Sequence, residues 1–491
     1  MGARHSILHG KRQQGEYCTP SRTAEYMCDM VLRNISGNDF QILDPAAGDG
    51  VFIDALLRKN VPPDRITAFE INPRKAEKLK HKFSEVKVEV HDTLSEMSMK
   101  FDACIGNPPY KSRRQSEYIH SNRDWLNKRY GEIGLYNLYT LFIYNCIQRL
   151  NDNGVLCFIV PDDFMTNRYY VPFRRFLLNS TSIIEILLAP PDLFHPSGAD
   201  VRAAILTLRK PSSALYVPRS ANNDVRLIDR LEYQEEYHDP PQIQVVKQSE
   251  FCKMPAYRFF VGIPIPIVRL VQKSQVRFGQ VADGATGIST GNDRKYLRHW
   301  EEIKADPSWV PFYKSGRRRP YFYRTKYYIE RDYQKNEGDP NFIVRNRKYF
   351  FREGITCSSV GRRFSASYMP PGCIFGVNAN FFFDEREDLF YSLGYLNSRL
   401  CQYIVRKVLH RSNIVATSFL EELPYKPPPP DTKAAVVRLS SSIVERLMQT
   451  PDYDFSQEQK QIDNAIYILY EIGSELQKEI EDFCTNILKL A

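Results

Sequence analysis

Asp44-Pro45-Ala46-Ala47-Gly48-Asp49-Gly50 and, downstream, Phe101-Asp102-Ala103-Cys104-Ile105-Gly106-Asn107-Pro108-Pro109-Tyr110 decide the fold. The first stretch reads as a strand end that runs into a glycine loop and then a helix. The second reads as another strand with a loop at its end. Two functional loops at the carboxyl ends of neighbouring parallel strands bring a bound ligand beside a reacting group.

Working outward, residues 40 to 210 alternate short apolar runs with helical patterns, which predicts a doubly wound parallel sheet. The expected strands are Phe40–Asp44, Arg65–Ile71, Val86–His91, Phe101–Gly106, Val155–Val160, Ser182–Leu188 and Val201–Leu208. Helices are expected over Gly50–Arg58, Pro73–Phe83, Tyr136–Leu150 and Tyr170–Leu178. The run from Val201 follows Ser182–Leu188 without a long helix between them, so it reads as an antiparallel closing hairpin. Beyond about residue 210 the periodicity weakens. Short strand-like runs, many Tyr and Phe, and Gly-rich turns then indicate a mixed α+β second domain. Pro427 to Pro430 reads as a stiff linker, and 432–490 as a hairpin of two amphipathic helices. The expected domains are therefore 15–215, 240–425 and 432–490.

The chain has 491 residues, 43% hydrophobic and 25% charged, enough for several full cores. No apolar run approaches the ~18 residues that span a bilayer, and the basic N-terminus has no apolar segment after it, so no membrane or secretory role is expected. The ten cysteines are scattered without a C-x-x-C pair. That excludes a zinc pattern and a disulfide framework, predicts no metal site, and points to a cytoplasm. The net charge of +9 is compatible with a polyanionic partner. Its distribution is more telling: Tyr313 to Tyr328 interleaves cations with aromatics. Arg317, Arg318, Arg319, Arg324 and Lys326 are the expected nucleic-acid contacts there. The alternative is a solvated strand pair with Arg-Tyr packing.

The chemistry follows from residue types. Gly48 and Gly50 lack side chains, so backbone can come near a ligand. Glu70, ending the second strand in Phe69-Glu70-Ile71-Asn72-Pro73, can take two ribose hydroxyls, and Asp92 ends the third strand. The glycines do not follow G-x-G-x-x-G, which argues against a nicotinamide cofactor.

This ordered set resembles the N6-adenine-specific DNA methyltransferases of restriction-modification systems. The likeness is to the TaqI/Eco57I-like branch of gamma-type order, in which the cofactor motif precedes the catalytic motif and target recognition comes last. The resemblance runs from about 15 to 425. It implies a Rossmann-like methyltransferase domain, a seven-stranded mostly parallel sheet with an antiparallel closing strand. It implies S-adenosyl-L-methionine as cofactor, held by Thr19, Asp44, Ala46, Gly48, Gly50, Glu70, Ile71, Asp92, Leu94 and Asn107. In that scheme Ile71 and Leu94 flank the cofactor's adenine, Asp92 accepts from its amino group, and Thr19 supports the methionine end. Ala47 stands where many relatives have Cys.

An adenine amino nitrogen is a poor nucleophile, because its lone pair is delocalised into the ring. By resemblance, the Asn107 side-chain oxygen and the Pro108 carbonyl accept its two N–H bonds, which helps most as positive charge grows on nitrogen. Tyr110 offers a face to the target base. Phe194, in Pro191-Asp192-Leu193-Phe194-His195-Pro196, is the expected second wall. A base inside a duplex must rotate out to reach such a pocket. The expected partners are double-stranded DNA and a cognate restriction endonuclease acting on the same site. The protein is expected to be a monomer in a bacterial or archaeal cytoplasm, with no nuclease domain ahead of Thr19. Two alternatives remain: the same chemistry on RNA adenine or protein glutamine, and a non-catalytic DNA-specificity protein.

Overall fold

The structure is a computed structural model that describes residues 17–96, 98–194, 201–212, 222–304, 306–314, 319–358, 363–409 and 415–490. The chain divides into two compact units, Met1–Gly262 and Ile263–Ala491.

In the first unit nine strands form one sheet: β1 Ile42–Asp44, β2 Ile66–Glu70, β3 Lys87–Val90, β4 Phe101–Gly106, β5 Leu150–Pro161, β6 Ser182–Leu188, β7 Ala203–Arg209, β8 Asp224–Ile228 and β9 Ile243–Lys247. Their order is β3-β2-β1-β4-β5-β7-β6-β8-β9. β1 to β5 pair in parallel. β7 runs antiparallel between β5 and β6. This is the Rossmann-like methyltransferase fold read from the sequence. Helices cover the centre of the sheet, so β1, β2 and residues 154–160 of β5 are buried throughout and read as apolar runs.

Two strands extend that sheet. β8 pairs parallel with β6, and β9 antiparallel with β8. Both lie in the polar stretch that gave no clear pattern. β9 buries only Val246 among its five residues, so its sequence carries no apolar alternation. The boundary expected near 215 therefore falls inside this sheet, and the compact unit continues to Gly262.

Local chemistry sets the helix starts. Gly50 caps the helix Val51–Arg58 at φ 82°, a left-handed conformation that a side chain disfavours. Asn72 caps Pro73–Lys82 by accepting from the backbone N–H of Arg74 at 3.0 Å, with Pro73 at the first helical position. Glu117–Ser121 and Arg123–Tyr130 are short helices between β4 and the helix Leu138–Arg149.

The second unit holds two four-stranded sheets and a two-stranded ribbon. The helix Arg386–Asn397 ends at Ser398. Asn397 both accepts from the Ala366 N–H at 3.0 Å and donates to its carbonyl at 2.9 Å, and Ser398 caps the helix Arg399–Tyr403. The C-terminal region forms three helices rather than two: Pro430–Gln449, Ser456–Leu469 and Ser474–Asp482. Glu471 at φ 57° and Gly473 break the stretch that reads as one amphipathic helix. No helix among the described residues is long and apolar enough to cross a membrane.

Candidate cofactor and catalytic site

A cavity of about 560 Å³ opens over the carboxyl ends of β1, β2 and β4. Of the residues expected to hold a cofactor, Thr19, Ala46, Gly48, Glu70, Ile71, Asp92, Leu94 and Asn107 all line it. The sheet topology brings them together, since the strands that precede these loops are adjacent.

The loop after β1 is held by backbone hydrogen bonds, one of them to β2. Ala47 N–H donates to Phe69 O at 2.9 Å and Gly50 N–H to Ala47 O at 2.7 Å. Gly48 has φ 55°, and the nearest atom to a Cβ placed there is 3.9 Å away, so this position is open. Glu70 accepts from Gly48 N–H at 3.0 Å and Asn72 N–H at 2.9 Å, one on each carboxylate oxygen. Each oxygen keeps a lone pair for a ligand hydroxyl. Asp92 accepts from Leu94 N–H at 3.0 Å and from the Tyr118 hydroxyl at 2.6 Å. Ile71 is 60% exposed, an apolar side chain presented to the cavity instead of the core.

Asp44 and Gly50 do not line the cavity. Asp44 is fully buried behind Pro45 and Ala46. Its Oδ1 accepts from Ala46 N–H at 3.1 Å, and its Oδ2 has no hydrogen-bond partner among the described residues. Burial raises its carboxyl to about 7, with the nearby Glu70 charge adding to the shift against the Ala46 hydrogen bond. Gly50 faces the neighbouring helix. A Cβ there would lie 2.5 Å from Phe83 Cε2 and 2.8 Å from Leu79 Cδ2, so its lack of a side chain serves packing.

Asn107 donates its Nδ2 to the Tyr17 carbonyl at 2.8 Å and to Thr19 Oγ1 at 3.0 Å. Both contacts use the amide nitrogen, which leaves the amide oxygen as the unused acceptor. Tyr110 is 8% exposed, and its hydroxyl donates to Ile159 O at 2.9 Å. Burial pushes that phenol well above its usual range. Phe194 is fully buried. The two rings meet edge-on with centroids 6.1 Å apart, and Tyr17 packs on both, at 5.2 Å from Tyr110 and 5.6 Å from Phe194. The pair expected to form an open slot is thus closed by a third ring, which the sequence reading did not assign. The same reading missed Tyr118, Lys75, His91 and Phe142, which also line the cavity. Tyr118 and Phe142 belong to helices that come over the site only after folding, so spacing gives no signal for them.

In the second unit Arg317 and Arg318 lie outside the described residues. Arg324 and Lys326 are exposed, and Arg319 lies 3.8 Å from Asp452. Most of the interleaved aromatics turn inward, with Phe322 and Tyr327 half-buried. Tyr313, Tyr321 and Tyr323 are buried, and Tyr321 donates to Gln459 at 2.8 Å. These three are core residues and present no face for a base, whereas Arg319, Arg324 and Lys326 are exposed.

Residues 52–194 match the Eco57I restriction-modification methylase family. The chain is 30% identical over 193 residues to the Type II methyltransferase M.HincII of Haemophilus influenzae, covering 38% of this chain and 36% of that protein. It is 22% identical over 335 residues to the adenine-specific methyltransferase PglX of Lacticaseibacillus casei (strain Zhang), covering 62% of this chain and 27% of that one. The matches thus span well under half the length of these two curated relatives. Among solved structures, a nuclease-deletion mutant of the Type ISP restriction-modification enzyme LlaGI, in complex with a DNA substrate mimic, aligns with a TM-score of 0.58. That alignment has 14% identity and covers 88% of this chain and 54% of LlaGI, a likeness of fold. The loop Asp44–Gly50 and Asn107–Tyr110 follow adjacent strands, and residues 52–194, which include the second of them, are similar to the Eco57I restriction-modification methylase family.

Proposed function

We propose that the chain transfers a methyl group from S-adenosylmethionine to the N6 amino group of adenine in duplex DNA, after the base has left the stack. The observation that carries this reading is Asn107, whose amide nitrogen is taken by Tyr17 and Thr19 while its oxygen is left to accept. An oriented acceptor at the end of β4, beside a cavity of cofactor size, is what an amino nucleophile requires.

The cavity residues fit the cofactor. Glu70 holds the ribose hydroxyls on its remaining lone pairs, and Asp92 takes the adenine amino group. Ile71 and Leu94 offer apolar surface to the ring, and Gly48 lets backbone come close. When bound, S-adenosylmethionine supplies an electrophilic methyl group on sulfur. The protein's part is positional: Asn107 and the Pro108 carbonyl accept the two N–H bonds of the target, holding nitrogen in line with the methyl. Their hydrogen bonds strengthen as charge grows on nitrogen, so they favour the transition state over the ground state. No general base is assigned.

Target recognition is assigned to 240–425, with Arg319, Arg324 and Lys326 on phosphates and Arg317 and Arg318 beside them in sequence. A restriction endonuclease acting on the same site is the expected functional partner. Adenine as target is supported by Asn, rather than Ser, before Pro108-Pro109-Tyr110. The test is nucleoside mass spectrometry of DNA from cells expressing the chain. N6-methyladenine is expected. N4-methylcytosine alone, or methyl groups only on RNA or protein, would sink the reading.

A further inference from the structure

We propose that Tyr169, backed by Tyr136 and rimmed by Arg113, Arg114 and Arg168, is a DNA-contact surface on the methylase unit itself. In this reading it takes the face of a base near the target while the arginines take phosphates. This rests on duplex DNA being the substrate.

Four observations converge. First, Tyr169 is 61% exposed, an unusual placement for a large aromatic, and its ring packs on Tyr136 at 5.3 Å. A flat, exposed, supported ring is a stacking platform.

Second, that pair is connected to the catalytic loop by rings. Tyr110 meets Tyr139 at 6.3 Å, Tyr139 meets Tyr170 at 5.9 Å, and Tyr170 meets Tyr136 at 6.1 Å. Asp163 ties the middle of the ladder, accepting from the Tyr139 hydroxyl at 2.7 Å and the Tyr170 hydroxyl at 3.0 Å. The segment after Tyr110 joins the same surface, since Arg113 N–H donates to Tyr136 O at 2.8 Å.

Third, the turn that presents Tyr169 is braced by two fully buried arginines. Arg174 donates to the carbonyls of Phe164 at 2.6 Å and Asn167 at 2.8 Å, and Arg258 to that of Thr166 at 3.2 Å. Burying guanidinium groups to fix a surface turn costs desolvation. It makes sense where the turn must hold a shape, because a pre-ordered surface loses less entropy on binding.

Fourth, Arg113, Arg114 and Arg168 are exposed, and none of their side chains has a hydrogen bond or ion pair among the described residues. Many exposed cations of this unit, among them Arg22, Arg58 and Lys253, pair with carboxylates. Unpaired cations around an exposed aromatic pair match a polyanion with stackable bases.

The test is binding of the full chain to a labelled mixed-sequence DNA duplex, followed by anisotropy across a salt series, with S-adenosylmethionine affinity measured separately by calorimetry. Tyr169→Ala should weaken duplex binding roughly five- to hundred-fold at every salt concentration, without changing the salt slope. Tyr169→Phe should retain affinity, because it keeps the ring. Changing Arg113, Arg114 and Arg168 to Gln should flatten the slope by about 0.9 for each phosphate that is no longer neutralised. Cofactor affinity should be unchanged in all of them. If wild type binds and methylates DNA while Tyr169→Ala and the arginine variants match it at every salt, this surface is not on the DNA and the inference is overturned with the substrate reading intact. If wild type methylates only RNA or protein, both fall.

Discussion

The amide nitrogen of Asn107 reaches the backbone carbonyl of Tyr17 at 2.8 Å, so a residue at the end of β4 is oriented by one lying 90 places earlier in the chain. One side chain thereby does two jobs. Its nitrogen ties Tyr17 and Thr19 to the end of β4 beside the cavity, and its oxygen is left as an acceptor.

Asn107→Ala should lower turnover by about 10²–10³ or more, the range for loss of one oriented partner to developing charge. Because Tyr17 and Thr19 lose their tether, cofactor affinity should also fall, but by far less than turnover. Calorimetry and single-turnover kinetics separate the two. Turnover preserved with cofactor binding lost would show that Asn107 is only a tether.

Two glycines of one loop should respond differently. Gly50→Ala places a Cβ against Phe83 and Leu79 at φ 82°, so it should destabilise the fold by about 1–3 kcal/mol. Gly48→Ala meets open space and carries mainly the left-handed backbone cost of about 1–2 kcal/mol. It should act chiefly on cofactor affinity. Denaturant midpoints and calorimetry check both. Equal effects on affinity would place Gly50 in the ligand site after all.

Asp44 makes the cofactor-free protein pH-dependent. Its folded value of about 7 lies above the unfolded value of 3.8. Its contribution to stability is therefore fully present below pH 3.8 and is lost as pH rises through about 7. Asp44→Asn removes that loss, so the variant should melt higher than wild type at pH 8 and lose the advantage towards pH 4. Parallel melting curves at both pH values would mean that the carboxyl does not titrate between them.

Neutralising Arg319, Arg324 and Lys326 should weaken binding to all duplex sequences alike and flatten its salt dependence, by about one unit of slope for each phosphate left without its cation. Changing Tyr313 or Tyr323, both buried, should cost stability without changing base preference. An unchanged slope would move these cations off the DNA.

Tyr17 packs on both Tyr110 and Phe194, so a target base must displace its ring. A 2-aminopurine at the target position should brighten on binding, and a mismatch there should bind more tightly than the matched duplex, because unpairing is partly prepaid. Phe194→Ala should weaken the extruded state by ~1–3 kcal/mol. Equal binding of matched and mismatched targets with no brightening would leave Tyr110 and Phe194 as core residues only.

The parallel sheet was legible because its centre is covered on both faces, which forces Ile42-Leu43, Ile66–Phe69 and Val155–Val160 into apolar runs set off by turn residues. The turns after β1 and β2 were legible because backbone geometry restricts residue type: Gly48 and Gly50 at positive φ, Asn72 and Pro73 at a helix start. β9 was not, since an edge strand with four residues not fully buried has no apolar alternation to read. The break at Glu471 was hidden because apolar spacing persists on both sides of it.

What the sequence determined by itself, then, was the alternation of strand and helix and the residue types set at the strand ends, because both depend on local geometry and residue type. Tertiary structure decided the rest. It turned Gly50 towards a helix and Gly48 towards the cavity. It laid Tyr17 against Tyr110 and Phe194, and it sent Tyr313, Tyr321 and Tyr323 inward while leaving Arg324 and Lys326 outside. Which face of a side chain meets water is settled by what packs on the other face, and those partners come from distant parts of the chain.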